Sequence, residues 1–289
     1  MMIVFNPVAG RRRAQLLWRV LDVLVANGVR LDLAETRRPG HARDLAREAA
    51  ARGEPMVVAA GGDGTIAEVA NGLIGTSTRL GVIPLGTANV LAHELGLPFS
   101  PRAVAAALAF GRTRQLWPGQ VVQGDKTRLF VQMVGIGFDA AVVHGVPYPL
   151  KKMLGKGAYV MQSLREMTRY GFPMIRLRID NVETETASAV ISKGRLYGGR
   201  FPLARDTEPA APGFSVVLFD RAGPMAAALY GAMLPLRLLG SAPGVRHLRA
   251  AQIDILGNTT VPAQTDGDPA GFMPRQIRDA AAPIQVVAG

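Results

Sequence analysis

MVVAAGGDGTIAEVANGL, residues 56–73, decides how this chain is read. Met56 to Gly61 is a short uncharged run, as a strand buried on both faces requires. Gly61, Gly62 and Gly64 follow, and then a helical pattern. Glycine adopts positive φ freely, so successive backbone N–H groups can turn to one concave side and form an anion nest. The helix adds its positive N-terminal end, with Thr65 placed to cap it through its hydroxyl. A triphosphate suits such a cradle. Asp63 stands in its middle, and a bare carboxylate repels phosphate unless a metal ion lies between them or it handles a proton.

The arrangement recurs in GVIPLGTANVLAHELGLP, residues 81–98. A strand ends at Leu85, the chain turns on Gly86, and Thr87 stands at the cap of the next helix. Two strands therefore deliver loops to one carboxyl edge of a sheet, where open α/β folds bind ligands. Upstream, residues 3–6 and 29–34 read as strands. Residues 14–28 read as a helix with Leu17, Leu21, Leu24 and Val25 on one face, and 41–53 as another. Strands alternating with helices imply a parallel sheet. From Val121 the pattern changes to extended segments: 121–124, 128–135, 174–180, 187–194, 214–220 and 251–257. Helical insertions interrupt them near 150–170 and 224–239. The fold class expected is thus an N-terminal parallel-sheet α/β domain (1–118) followed by an all-β domain (119–289).

Composition sets the outer limits. The 289 residues exceed one usual domain, and 48% hydrophobic against 19% charged content describes a folded globular chain. The absence of cysteine excludes disulfides, thiolate zinc sites and cysteine nucleophiles. A net charge of +11 points to polyanionic partners. Aromatic content of 6% and the lack of any recognisable nucleic-acid module argue against nucleic acid. The start, MMIVFNPVAG, shows no signal peptide. The longest uncharged stretch, between Arg221 and Arg237, contains two prolines and falls short of a membrane span. A cytoplasmic protein, peripheral to the inner face of a membrane, is expected.

These motifs resemble the diacylglycerol kinase catalytic-domain family, which includes bacterial lipid kinases, sphingosine kinases and ceramide kinases. The likeness runs through Asn6–Ala14, Thr36–Ala42, Gly61–Leu73, Pro84–Asn89, Val134–Ala140, Leu196–Ala204 and Thr265–Pro269. It implies a β-sandwich second domain, an interdomain cleft for lipid, and a chain end that returns to the first domain. It also implies an ATP-dependent kinase for diacylglycerol or a similar sphingoid or ceramide-like lipid. Asn6, Gly10, Arg11, Thr36, Gly61, Gly62, Asp63, Gly64, Thr65, Glu68, Gly86, Thr87 and Asn89 would hold ATP. Mg2+ would accompany it through Asp63 and Asp268. Asp266, on a tight Asp-Gly turn, is the expected proton acceptor, with Asp63 the rival and Asp268 assisting. A homodimer is compatible with this reading.

Three departures from the family pattern matter. Val90 and Pro212 stand where many bacterial members carry aspartates that hold a structural magnesium, so that ancillary site is expected to be absent. Asp268 replaces the usual glutamate, and Ala67 the commoner asparagine. Residues 135–140, GIGFDA, imitate a dinucleotide fingerprint, but Pro147 and Pro149 break the helix such a motif needs. The scattered His41, His93, His144 and His247 suit capping or surface roles. The segment 149–172 mixes basic and apolar residues and suits either an anionic lipid surface or an ordinary helix. Two other classes share the loops: an NAD-type small-molecule kinase, and a nucleotide-binding regulator without activity.

Overall fold

The computed structural model describes residues 1–8, 14–147, 150, 154–257, 260–271 and 273–288. The chain divides into two compact units. One comprises residues 1–118, 209–211 and 281–289, and the other 119–208 and 212–280.

In the first unit, strands β1 (Met2–Phe5), β2 (Asp32–Glu35), β3 (Met56–Gly61) and β4 (Arg79–Pro84) alternate with helices α1 (Ala14–Ala26), α2 (His41–Ala51) and α3 (Asp63–Leu73). The short α4 (Val90–Glu94), α5 (Pro101–Phe110) and β5 (Arg112–Leu116) complete the N-terminal run. Sheet order is β2-β1-β3-β4, then the chain's last strand, β20 (Ile284–Ala288), then β5. Pairings from β2 to β20 are parallel, and β5 is antiparallel to β20. All six residues of β3 are buried, as a central strand covered by helices on both faces demands. On α1 the buried stripe is Leu17, Val20, Leu21 and Leu24. Val25 is exposed instead, because it lies about 80° round the helix from Leu17. Gly72 of α3 is packed so closely on α2 that a Cβ would meet Arg43 O at 2.5 Å.

The second unit is a sandwich of two six-stranded sheets whose strand pairings are antiparallel. One holds β6 (Gly119–Gln123), β7 (Lys126–Phe130), β9 (Ile175–Ile179), β10 (Val182–Thr186), β16 (Gln252–Leu256) and β19 (Gln276–Asp279). The other holds β8 (Met133–Ile136), β11 (Ser188–Ser192), β14 (Phe214–Phe219), β15 (Val245–Ala250), β17 (Ala263–Thr265) and β18 (Asp268–Pro269). Leu177, Ile253 and Ile277 from the first meet Val134, Ile191 and Val216 from the second in one core. A small hairpin, β12 (Leu196–Tyr197) with β13 (Phe201–Pro202), lies apart from both. Helices α6 (Phe138–Gly145), α7 (Lys156–Met167) and α8 (Pro224–Met233) are inserted between strands. The buried Lys193 Nζ pairs with Asp279 Oδ1 at 2.7 Å, tying the end of β11 to β19 of the opposite sheet.

Two expectations need correction. Residues 128–135 form two strands, because the chain leaves one sheet at Phe130 and joins the other at Met133. A helix does follow GIG: α6 fits between that glycine turn and Pro147. A dinucleotide unit is still not formed, since both sheet neighbours of β8 are antiparallel to it. Among the described residues no helix is long and apolar enough to cross a membrane.

Candidate active site

The first unit gathers its polar motifs at the carboxyl ends of β1 to β4. Leu85 N donates to Gly61 O at 2.9 Å, so the two glycine loops run side by side. A Cβ on Gly86 would sit 2.6 Å from Gly62 Cα and 2.8 Å from Asn89 Oδ1. Only glycine permits that approach, because the obstacle is backbone. Asn89 adopts φ 47 and donates from Nδ2 to Gly86 O at 2.8 Å. Its buried Oδ1 has no partner. An orphan acceptor there suits a hydroxyl or a metal-bound water and not a phosphate oxygen.

Asp63 opens α3, and its Oδ1 accepts Leu91 N at 3.3 Å. Burial pushes its carboxyl above the usual range, while the amides of Leu91, Val90 and Asn89 hold it back. The carboxylate of the first loop thus braces the second. Asn6, just beyond β1, donates from Nδ2 to Thr65 Oγ1 at 3.1 Å. Thr36 follows β2, its N–H bonded to Phe5 O at 2.8 Å. Thr65 does not cap α3: the helix begins at Asp63 with Gly62 as its N-cap, which places Thr65 inside the first turn. Thr87 is exposed and does not cap α4, whose N-cap is Asn89. Glu68 receives Gly40 N at 2.8 Å and Ala42 N at 3.1 Å, so its carboxylate closes the N-terminus of α2. Gly10 and Arg11 lie outside the described residues.

In the second unit β17 and β18 form a hairpin with a two-residue loop, Asp266 (φ 52) and Gly267 (φ 82). Both loop residues are left-handed, and Asp-Gly is the pair that tolerates this. The Asp266 carboxylate accepts Val131 N at 2.8 Å, Gln132 N at 2.8 Å and Met133 N at 3.0 Å. These are the amides stranded where the chain changes sheets between β7 and β8, and Asp266 satisfies all three. Asp268 starts β18 opposite Thr265.

The turn is held from behind by residues that the sequence reading left without a role. Gly267 N donates to Gln264 Oε1 at 2.8 Å, and Gln264 Nε2 donates to Asp139 Oδ2 at 2.8 Å. Tyr197 Oη donates to Asp139 Oδ1. Burial raises the Asp139 carboxyl, with both hydrogen bonds opposing it. Burial also raises Tyr197, and the Asp139 charge adds to the effect. Asp139 and Tyr197 lie in Val134–Ala140 and Leu196–Ala204, two of the stretches that carry the family resemblance, which is the signal that points to them. Beside the turn, Gln132 is 2% exposed with neither amide atom partnered, and the buried Thr265 Oγ1 is also unpartnered.

Among the described residues, no three His, Cys, Asp or Glu side chains converge as a metal site would require. The histidines serve locally: His144 Nε2 lies 2.9 Å from Ala263 O, and His247 Nε2 lies 2.8 Å from Gly240 O. The space beside Gly61, Gly62 and Gly86 is filled by Thr65 and by the neighbouring loop's backbone, and none of the three takes a positive φ, so what the paired loops offer a phosphate chain is the positive N-terminal end of α3.

Residues 1–121 match the family model for the diacylglycerol kinase catalytic domain. Residues 132–288 match that for the YegS C-terminal NAD kinase beta sandwich-like domain. A diacylglycerol kinase of Bacillus subtilis (strain 168) is 29% identical over 294 residues, covering 99% of this chain and 95% of the relative. A Chromohalobacter salexigens protein named "Probable lipid kinase YegS-like" is 34% identical over 171 residues, 58% of this chain and 54% of that one. Solved structures of a diacylglycerol kinase from Bacillus anthracis str. Sterne share the fold. Two of them overlay with TM-scores of 0.81 and 0.72 at 20% and 19% identity, each covering all of this chain and 94% and 96% of theirs. With both units matched and the glycine loops and the Asp-Gly hairpin in place, this chain belongs to the diacylglycerol kinase catalytic-domain family.

Proposed function

We propose that the protein transfers the γ-phosphoryl group of ATP to the hydroxyl of diacylglycerol or a similar lipid. The observation that carries this reading is the pair of glycine loops, pressed together at Gly62 and Gly86 and braced by Asp63. Such a cradle positions a phosphate chain through backbone N–H groups, and phosphoryl transfer depends on positioning and charge stabilisation more than on covalent chemistry. In this assignment Asn6, Thr36, the 61–65 loop, Thr87 and Asn89 bind ATP, with Gly10 and Arg11 contributing from the preceding motif. Glu68 supports the site by ordering the start of α2. Magnesium, when bound with the nucleotide, would supply charge neutralisation on the phosphates, with Asp63 and Asp268 as the residues that would hold it.

In the reaction the lipid oxygen forms a bond to the γ-phosphorus, the bridging β–γ P–O bond breaks, and the hydroxyl proton passes to a carboxylate. The products are a lipid phosphate and ADP. Of the three carboxylates considered, Asp266 and Asp63 have oxygens occupied by backbone amides. Those amides hold the Asp266 carboxylate in one orientation, and Asp266 is the proton acceptor of this proposal, with Asp63 the rival and Asp268 assisting. The membrane that carries a lipid acceptor would be met from the cytoplasmic side.

Incubating the protein with γ-labelled ATP and a total lipid extract, followed by identification of the product, tests the proposal. Label in a lipid phosphate is the expected result. The sandwich domain's likeness to NAD kinases makes NAD the informative competitor. Label in NADP and none in lipid would replace this reading with the small-molecule one, and nucleotide binding without transfer would favour a regulator.

A further inference from the structure

The segment GIGFDA, residues 135–140, forms no dinucleotide unit, and its glycines and aspartate have another use. Gly135 lies in β8 between Val190 of β11 and Gln264 of β17. Directly opposed residues share a face of the sheet, so Gln264 extends on the side where Gly135 has no side chain. A Cβ on Gly135 would overlap Asp139 Oδ2 and sit 2.7 Å from Gln264 Nε2. The missing side chain is thus the space in which Gln264 Nε2 donates to Asp139 Oδ2 at 2.8 Å. Gly137, at φ 102, turns the chain off the strand where a Cβ would lie 2.5 Å from Ser188 Oγ. Phe138 N donates to that hydroxyl at 3.0 Å, and α6 begins with Asp139 in its first turn.

Both ends of the Asp139–Gln264 bond lead further. Gln264 is 2% exposed and uses its amide twice, accepting Gly267 N through Oε1 at 2.8 Å, so it spans from α6 to the Asp-Gly turn. Asp139 accepts Tyr197 Oη through its other oxygen. Tyr197 belongs to the β12–β13 hairpin, which joins neither large sheet and packs on the apolar cluster that includes Met133. A continuous run of hydrogen bonds, Tyr197–Asp139–Gln264–Gly267, therefore ties hairpin, helix and turn together.

We propose that Gly135, Asp139 and Tyr197 are positioning residues for phosphoryl transfer: through Gln264 they fix the Gly267 amide, and with it the turn on which Asp266 and Asp268 stand. Three amides hold the Asp266 carboxylate itself, while Gln264 holds the peptide that joins it to Asp268. The contribution is geometric, and a misplacement of about 1 Å in a reacting group can cost roughly a hundredfold in rate. The inference rests on the lipid-kinase reading and names further residues on which that reaction depends.

Gly135→Ala tests it without removing a hydrogen-bonding group. Its methyl group meets the far ends of two side chains and not backbone, so the chain can fold around it while the Asp139–Gln264 bond is displaced. With γ-labelled ATP and diacylglycerol in mixed micelles, kcat should fall at least about tenfold, with KM for ATP and the unfolding temperature close to the wild type. Asp139→Ala should show the same split between kcat and KM. Asp139→Asn should recover most of kcat, because its amide oxygen accepts from Gln264 and the Tyr197 hydroxyl can turn to accept from its NH2. Tyr197→Phe should lower kcat by itself and add nothing to Asp139→Ala, since its influence passes through that carboxylate. If Gly135→Ala does not fold, Tyr197→Phe decides. Unchanged kcat in either variant overturns the proposal. So does an Asp139→Asn as slow as Asp139→Ala, which would make charge and not hydrogen bonding the contribution. Transfer by the wild type is the separate check on the kinase reading: its absence removes both, whereas wild-type transfer with indifferent variants removes this proposal alone.

Discussion

Asp266 and Asp268 stand two residues apart, yet the hairpin gives them different work. Asp266 accepts three amides that the chain strands in changing sheets. Asparagine tolerates its left-handed backbone but offers one acceptor oxygen and turns an NH2 towards donors. Asp266→Asn should therefore cost about 2 kcal/mol or more of stability together with turnover. Asp268→Asn should abolish turnover by removing the charge that would hold magnesium, and denaturation curves beside kinetics separate that loss from the stability cost in Asp266→Asn. Asp139 behind the turn makes a prediction in pH. Burial raises it above its ordinary 3.8, so the folded chain holds that proton more tightly than the unfolded chain. The stability so gained is complete below 3.8 and is lost as pH rises through the folded value. Asp139→Asn lacks that proton, so wild-type stability measured relative to the variant should fall from mild acid towards neutral pH.

At the scale of elements, the glycine loops test the cradle without touching a charge. Gly86→Ala would put a methyl group 2.6 Å from Gly62 Cα, and backbone on both sides cannot give way. ATP binding by calorimetry should be lost in Gly86→Ala, whereas Gly75→Ala, where a Cβ meets nothing within 4 Å, should bind normally despite some strain at its φ of 72. These loops were legible because parallel strands read as uncharged runs and glycine marks their turns; β3 matches its expected limits, 56–61. The hairpin was legible for the same reason, since Asp-Gly names its turn type. What stayed hidden were long-range partners. Nothing local in 128–135 announces a change of sheet, because the stabilising carboxylate lies more than a hundred positions away. Glu68 is implied by the resemblance as a nucleotide contact, and its hydrogen bonds to Gly40 N and Ala42 N, 28 and 26 positions away, are not legible from its own segment. Helix α6 is hidden because it fits in the eight residues Phe138–Gly145 ahead of Pro147, so the prolines end it without preventing it.

Over the whole molecule, the chain leaves the first unit, builds the sandwich, and comes back to lay β20 between β4 and β5. Ile284, Val286 and Val287 are buried there. Each such side chain is worth about 1.5–3 kcal/mol, and their sum approaches the roughly 5–15 kcal/mol that stabilises a domain. A chain ending at Ala280 should therefore lose the cooperative unfolding of its first unit and with it ATP binding, read by circular dichroism and calorimetry. The α/β unit cannot be finished until the β unit has been made. Whether this architecture moves phosphate from ATP to a lipid hydroxyl is decided by one measurement. Wild type and Asp268→Asn are given γ-labelled ATP with diacylglycerol in mixed micelles, and label in phosphatidic acid is followed with time. Steady incorporation by the wild type and none by the variant is expected; equal incorporation by both, or label that never enters the lipid, would rule the lipid-kinase assignment out.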